Sequence, residues 1–79
     1  MPVAPIVVPS IGEAITRVGV VTWFKQVGAT VARDELVVAI TTEKIDLDLA
    51  APIAGTLSEI HVAAGEWVDV GATLGIVCG

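Results

Sequence analysis

Turn-forming residues interrupt this chain so often that no helix of ordinary length fits between them. Eight glycines and four prolines are spread over 79 residues. No window of about 11 residues or more carries apolar side chains at a clean 3.6-residue period. What lies between the turns is short and rich in β-branched and aromatic residues, the types that suit a pleated surface. Strands are expected at Val3–Val8, Arg17–Phe24, Leu36–Ile40, Ile45–Leu49, Thr56–Val62, Trp67–Val70 and Thr73–Val77, with a short strand or corner at Val31. Pro2, Pro5 and Pro9 confine the first strand to an edge, because proline cannot donate to a ladder. Gly28, in Gln26-Val27-Gly28-Ala29, is the candidate for a positive φ. Short strands with regular turn signals define an all-β sandwich or barrel.

The chain also repeats itself. Gly19-Val20-Val21-Thr22-Trp23-Phe24 precedes a turn at Gly28 and a valine at Val31, and Gly55-Thr56-Leu57-Ser58-Glu59-Ile60 precedes a turn at Gly65 and a valine at Val68. The offset is 36 at the first glycine and 37 at the turn, and a further slip brings Leu36 near Leu74. Halves this small cannot each bury an apolar face and must pack on one another.

At the join between the halves stands the segment Leu36-Val37-Val38-Ala39-Ile40-Thr41-Thr42-Glu43-Lys44-Ile45-Asp46-Leu47-Asp48-Leu49. Its second arm alternates strictly, apolar Ile45, Leu47 and Leu49 against Asp46 and Asp48, as in a strand with one wet face. The two arms fold back as a hairpin with Glu43 and Lys44 at its tip, in solvent. If the repeat holds, the equivalent point in the second half is the C-terminus, so this tip and the chain ends belong at opposite ends of the domain. The tip contains no Gly, Asn or Pro, so a type I turn is expected, fixed by its strands rather than by turn residues. A lysine here would ordinarily be a solubilising charge.

Composition removes several function classes. Nine acidic residues against four basic ones give a net charge of −5, with three aromatic residues and no basic patch, which argues against phosphate-backbone binding. No apolar run approaches a membrane span, and the opening Met-Pro-Val-Ala-Pro lacks the form of a signal peptide. A single cysteine, Cys78, cannot form an internal disulfide and suits a reducing compartment. One histidine, His61, far in sequence from that cysteine, leaves no readable zinc site. His61 is expected as a satisfied strand histidine, Cys78 as a spectator thiol, and Trp23, Phe24 and Trp67 as cover for a thin core, Trp67 partly exposed.

Thr42-Glu43-Lys44-Ile45 between apolar strands resembles the modification turn of lipoyl domains, in which an Asp-Lys pair is usual; Glu43-Lys44 is a conservative departure. The resemblance extends to Val8-Pro9-Ser10-Ile11-Gly12-Glu13, similar to that family's opening Pro-x-x-Gly-Glu segment. Pro52-Ile53-Ala54-Gly55-Thr56-Leu57 and Gly65-Glu66-Trp67-Val68-Asp69-Val70-Gly71 look like its two later turn segments, so that residues 3–77 are covered.

The resemblance implies a flattened barrel-sandwich hybrid of two four-stranded antiparallel sheets with internal pseudo-twofold symmetry. Residues 1–79 would be one lipoyl domain, the N-terminal part of a longer chain. Lys44 would receive lipoic acid as an amide and carry acyl groups and reducing equivalents within a 2-oxo acid dehydrogenase complex, the succinyl type slightly ahead of the acetyl type. Implied partners are a lipoate ligase or lipoyl transferase, a thiamine diphosphate-dependent dehydrogenase (E1), an acyltransferase core (E2) and dihydrolipoamide dehydrogenase (E3). Glu43, Ile45, Thr42 and the loop residues Ser10, Gly12 and Glu13 would serve recognition.

The isolated domain is expected to be monomeric, non-catalytic and free of metal, in a bacterial cytoplasm or a mitochondrial matrix. Two other readings remain: a biotinyl carrier, which would normally show methionines where Glu43 and Ile45 stand, and an unmodified structural module, which has no need of a tip lysine.

Overall fold

Eight strands build the domain: β1 (Val3–Val7), β2 (Arg17–Trp23), β3 (Thr30–Val31), β4 (Leu36–Thr41), β5 (Asp46–Ala50), β6 (Gly55–Ile60), β7 (Trp67–Asp69) and β8 (Thr73–Cys78). They are seen in a computed structural model that describes residues 2–10, 12 and 14–79. Among these residues there is no helix, and hence none long and apolar enough to cross a membrane. The strands pair antiparallel in two four-stranded sheets, ordered β1-β8-β6-β3 and β5-β4-β2-β7. The expected all-β architecture is therefore the observed one, with strand limits moved by one or two residues.

The two sheets are copies of each other. Exchanging β1 with β5, β2 with β6, β3 with β7 and β4 with β8 turns one strand order into the other. The hydrogen bonds repeat as well. Gly28 N donates to Leu57 O (2.8 Å) where Gly65 N donates to Val20 O (2.7 Å), and Phe24 N donates to Val37 O (2.8 Å) where His61 N donates to Leu74 O (2.7 Å). Each pair is related by a shift of 37 residues.

This constant shift corrects the register read from the sequence. Gly19 and Gly55 are not equivalent, and Leu74 matches Val37 rather than Leu36. The two glycines answer different needs. A Cβ on Gly19 would lie 2.7 Å from Cε2 of Trp67, so the bare backbone seats an indole; a Cβ on Gly55 would run into the main chain of Cys78.

The turns repeat with the strands. Gly28 takes the positive φ expected of it (96°), and Gly65 (92°) is its equivalent. Gly71 (94°) matches Asp34 (67°), the non-glycine residue found in the left-handed region. Asp is among the residues that tolerate this conformation.

Between the sheets lies a core of valine, isoleucine and leucine: Val18, Val37, Val38, Ile40, Leu57, Leu74 and Val77 are fully inaccessible. Trp23 leans on this core and donates Nε1–H to Val62 O at 2.9 Å. Phe24 does not join it; at 47 % exposure it lies outside, contrary to the sequence expectation. His61 likewise falls just beyond β6, exposed, with Nε2 2.9 Å from Glu59 Oε1.

Candidate functional site

The site is built on the β4–β5 ladder. Ile40 pairs with Leu47 and Thr41 with Asp46, leaving Thr42-Glu43-Lys44-Ile45 as the closing turn. Glu43 and Lys44 are exposed at its tip. Inside the turn, Thr42 is 7 % exposed, and its hydroxyl is fully used. Oγ1 accepts from Ile45 N–H (2.9 Å) and Lys44 N–H (3.2 Å) and donates to Ile45 O (3.0 Å). One proton given and two lone pairs filled is all that a hydroxyl can do. Thr42 N–H also donates to Ile45 O at 2.7 Å, and below it the Thr41 hydroxyl is hydrogen-bonded to the Asp46 carboxylate.

The expectation that strands alone hold this tip is thus corrected. A threonine side chain closes it, the role such hydroxyls play in turns lacking glycine or asparagine. Thr42 was grouped with the recognition residues. Its side chain is spent on the turn, so what it contributes reaches a partner through the shape of the tip. The signal was present in the sequence, a Thr three residues before the turn closes, but nothing local marks that hydroxyl as buried.

Ile45 is 45 % exposed beside the lysine. Lys44 Nζ makes no ion pair within the described residues, whereas Lys25 is bound to Glu35 at 2.7 Å. That pair, with an N–H from Ala32, holds the Glu35 carboxyl below its ordinary pKa.

A cleft of about 320 Å³ opens beside the tip, lined by Ala14, Ile15, Thr16, Arg17, Glu43 and Trp67. The segment after the first loop thus meets the lysine turn. Gly12 is tied to it, since Ile15 N–H donates to Gly12 O at 3.1 Å. Ser10 and Gly12 are exposed; Glu13 lies outside the described residues.

The chain ends occupy the place that symmetry assigns to the turn in the other sheet. Gly79 N–H donates to Pro2 O at 2.8 Å, as Thr42 N–H does to Ile45 O. β5 starts at the lysine turn and runs away from it to Ala51–Ala54, where a Cβ on Gly79 would lie 3.4 Å from Ala54 O. Tip and termini therefore stand at opposite ends of a body 36 Å long.

A flattened two-sheet barrel that offers an exposed lysine on a hydrogen-bonded hairpin tip, far from its chain ends, is the architecture of a prosthetic-group attachment domain. A family model described as "Biotin-requiring enzyme" (biotin/lipoyl) matches residues 4–77. The lipoyl domain of the 2-oxoglutarate dehydrogenase complex from Azotobacter vinelandii superposes with a TM-score of 0.78 at 36 % identity, covering 95 % of each chain.

Among curated proteins, the succinyltransferase component of the 2-oxoglutarate dehydrogenase complex of Bartonella vinsonii subsp. berkhoffii is 43 % identical over 70 residues, 89 % of this chain and 17 % of that protein. The acetyltransferase component of the pyruvate dehydrogenase complex of Corynebacterium glutamicum is 36 % identical over 69 residues, 87 % of this chain and 10 % of that one. The chain belongs to the biotin/lipoyl attachment family, and within it to the lipoyl domains. It spans less than a fifth of the length of these curated relatives.

Proposed function

We propose that this domain is the lipoyl carrier of a 2-oxo acid dehydrogenase complex, with Lys44 the attachment residue and lipoic acid its cofactor. The observation that carries the reading is the tip itself: an exposed ε-amino group on a backbone pinned by the buried Thr42 hydroxyl. An attaching enzyme must grip a protruding lysine in one conformation, and a tip already ordered costs little to bind. Amide formation removes the ammonium charge, taking the net charge from −5 to about −6. Bound lipoate supplies a dithiolane that takes up an acyl group with reduction and is reoxidised after giving it up.

This chain's residues hold and present the arm. Glu43 and Ile45, exposed on either side of Lys44, are contacts for the lipoate ligase or transferase and for the enzymes the arm visits; Ser10 and Gly12 belong to the same recognition surface. The parent is a longer acyltransferase (E2) chain whose core does the transfer, with a thiamine diphosphate-dependent dehydrogenase (E1) and dihydrolipoamide dehydrogenase (E3) as the other partners, in a bacterial cytoplasm or mitochondrial matrix. The greater identity to succinyltransferase components, 43 % against 36 % to the acetyltransferase, supports the 2-oxoglutarate type.

The family also contains biotin carriers, so the test must separate the two groups. Intact mass after co-expression with a lipoate ligase should show one lipoyl-sized gain on the wild type and none on Lys44→Arg, with unchanged circular dichroism. No gain on the wild type would overturn the proposal, and a biotin-sized gain in its place would assign the other group.

A further inference from the structure

The cleft beside the tip is at the small end of the volume range of ligand sites. Its walls differ in kind. Trp67 is 49 % exposed, and its indole lies against the bare backbone of Gly19, where a Cβ would come within 3.0 Å of three ring atoms. Ile15 and Ala14 add apolar surface, and the side of the cleft nearest the attachment residue is Glu43, its covalent neighbour. Arg17 and Glu43 share the cleft, and Asp69 is the strand partner of Arg17. The polar lining thus carries both signs, and the indole and isoleucine offer the surface on which an uncharged group can lie.

We propose that this cleft is a resting berth for the arm on Lys44, resting on the lipoyl reading above. The hydrocarbon chain and dithiolane lie against Trp67 and Ile15 between visits to partner enzymes. The occupant is the chain's own appended group, argued from continuity: the residue that lines the cleft is bonded to the residue that bears the arm. A flat indole with one face open suits a divalent sulfur, which packs favourably against aromatic rings. The berth leaves the arm in rapid exchange between docked and free positions, so it withdraws the dithiolane part of the time without blocking transfer.

The test uses the domain lipoylated at Lys44, verified first by intact mass, so that failure of lipoylation is seen separately from failure of the berth. The Trp67 indole N–H and Ile15 methyl signals are compared by NMR between the unmodified and lipoylated domain, with Trp23 as internal control. After reduction, the rate at which a maleimide adds to the dihydrolipoyl thiols is followed by the mass of the Lys44 peptide. The berth predicts shifts at Trp67 and Ile15, and alkylation about two- to tenfold slower than in Trp67→Ala, the range a sulfur–aromatic contact allows. Because Trp67→Ala empties the seat on Gly19 and could disturb the fold, Ile15→Ser is the second variant and should accelerate alkylation in the same direction. Unchanged Trp67 and Ile15 signals in a fully lipoylated sample would overturn the proposal. So would shifts that grow with protein concentration, which would assign the cleft to a second copy of the domain.

Discussion

Replacing Thr42 by valine keeps the branched shape and deletes only the hydroxyl. The loss is three hydrogen bonds at once: the acceptors for Ile45 N–H and Lys44 N–H and the donor to Ile45 O. Ile45 O retains the bond from Thr42 N–H. The two N–H groups have no other protein acceptor in the turn. A donor stranded in a fully buried site costs about 1–3 kcal/mol. Here Ile45 is 45 % exposed, so water can reach part of the turn, and the 3.2 Å bond to Lys44 is the weaker of the two. A net cost of about 1–2 kcal/mol follows. In a domain of this size that lowers the unfolding midpoint by about 5–15 °C. Thermal circular dichroism measures it, with Thr42→Ser as control: serine restores the hydroxyl and should recover most of the loss. Native-state hydrogen exchange gives the local reading, since the Ile45 and Lys44 amides should exchange faster in the valine variant while Leu57 in the core does not. If Thr42→Val melts within about 2 °C of wild type with Ile45 protection intact, the hydroxyl is not what pins the tip.

Gly55→Ala drives a methyl into the main chain of Cys78 on the neighbouring strand, which cannot yield, and should cost about 3 kcal/mol or more in chemical denaturation. Gly19→Ala meets a half-exposed indole instead, 2.7 Å away, so it should cost less, about 1–2 kcal/mol, and shift the tryptophan emission as Trp67 lifts off. An equal cost for the two would refute the distinction between their roles. Glu35→Gln removes the ion pair to Lys25. Because the folded pKa of Glu35 is lowered, its contribution is present above the unfolded value of about 4.5 and disappears as pH falls through the lowered folded value. The variant should therefore melt below wild type at pH 7, with the gap closing toward pH 3; a gap that widens on acidification would exclude this account.

What the sequence made legible, and what it did not, follows from the range of the interactions concerned. Alternation at Ile45–Leu49 and the glycines at 28, 65 and 71 are local signals, and the hairpin and its turns could be read from them. The left-handed φ of Asp34 was not legible, because outside glycine that conformation has only a weak residue signature. The repeat was seen with its register wrong at the glycines. The two glycines were aligned as one repeated position, whereas Gly19, inside its strand, serves Trp67 across the sheet and Gly55 serves the Cys78 backbone. Both are tertiary demands, invisible along the chain. The Thr42 hydroxyl escaped for the same reason: whether a threonine closes a turn depends on its facing inward. At the site, Glu43 and Lys44 were read as exposed because tips of hairpins must be; Ile45, read with the apolar face of the second arm, instead lies before β5 at 45 % exposure. The cleft between Arg17, Trp67 and Glu43 was not foreseen, since it joins three segments far apart in sequence.

The symmetry explains why the tip can be both stiff and protruding. The β4–β5 and β1–β8 ladders end in the same way, with an amide donating across to the facing strand: Thr42 to Ile45 in one, Gly79 to Pro2 in the other. In the second half that bond joins the residues flanking β1 and β8, and no turn closes between them. In the first half the same framework must be closed by four residues, none of them glycine and none at a positive φ, and a side chain supplies the acceptor for two of the turn's amides. Threonine does so with one saturated hydroxyl and no added bulk, which leaves the two tip positions free of structural duty. Glu43 and Lys44 can therefore be set by what approaches them from outside, and the same division predicts that substitutions at Glu43 change attachment and partner use while leaving the melting temperature unmoved.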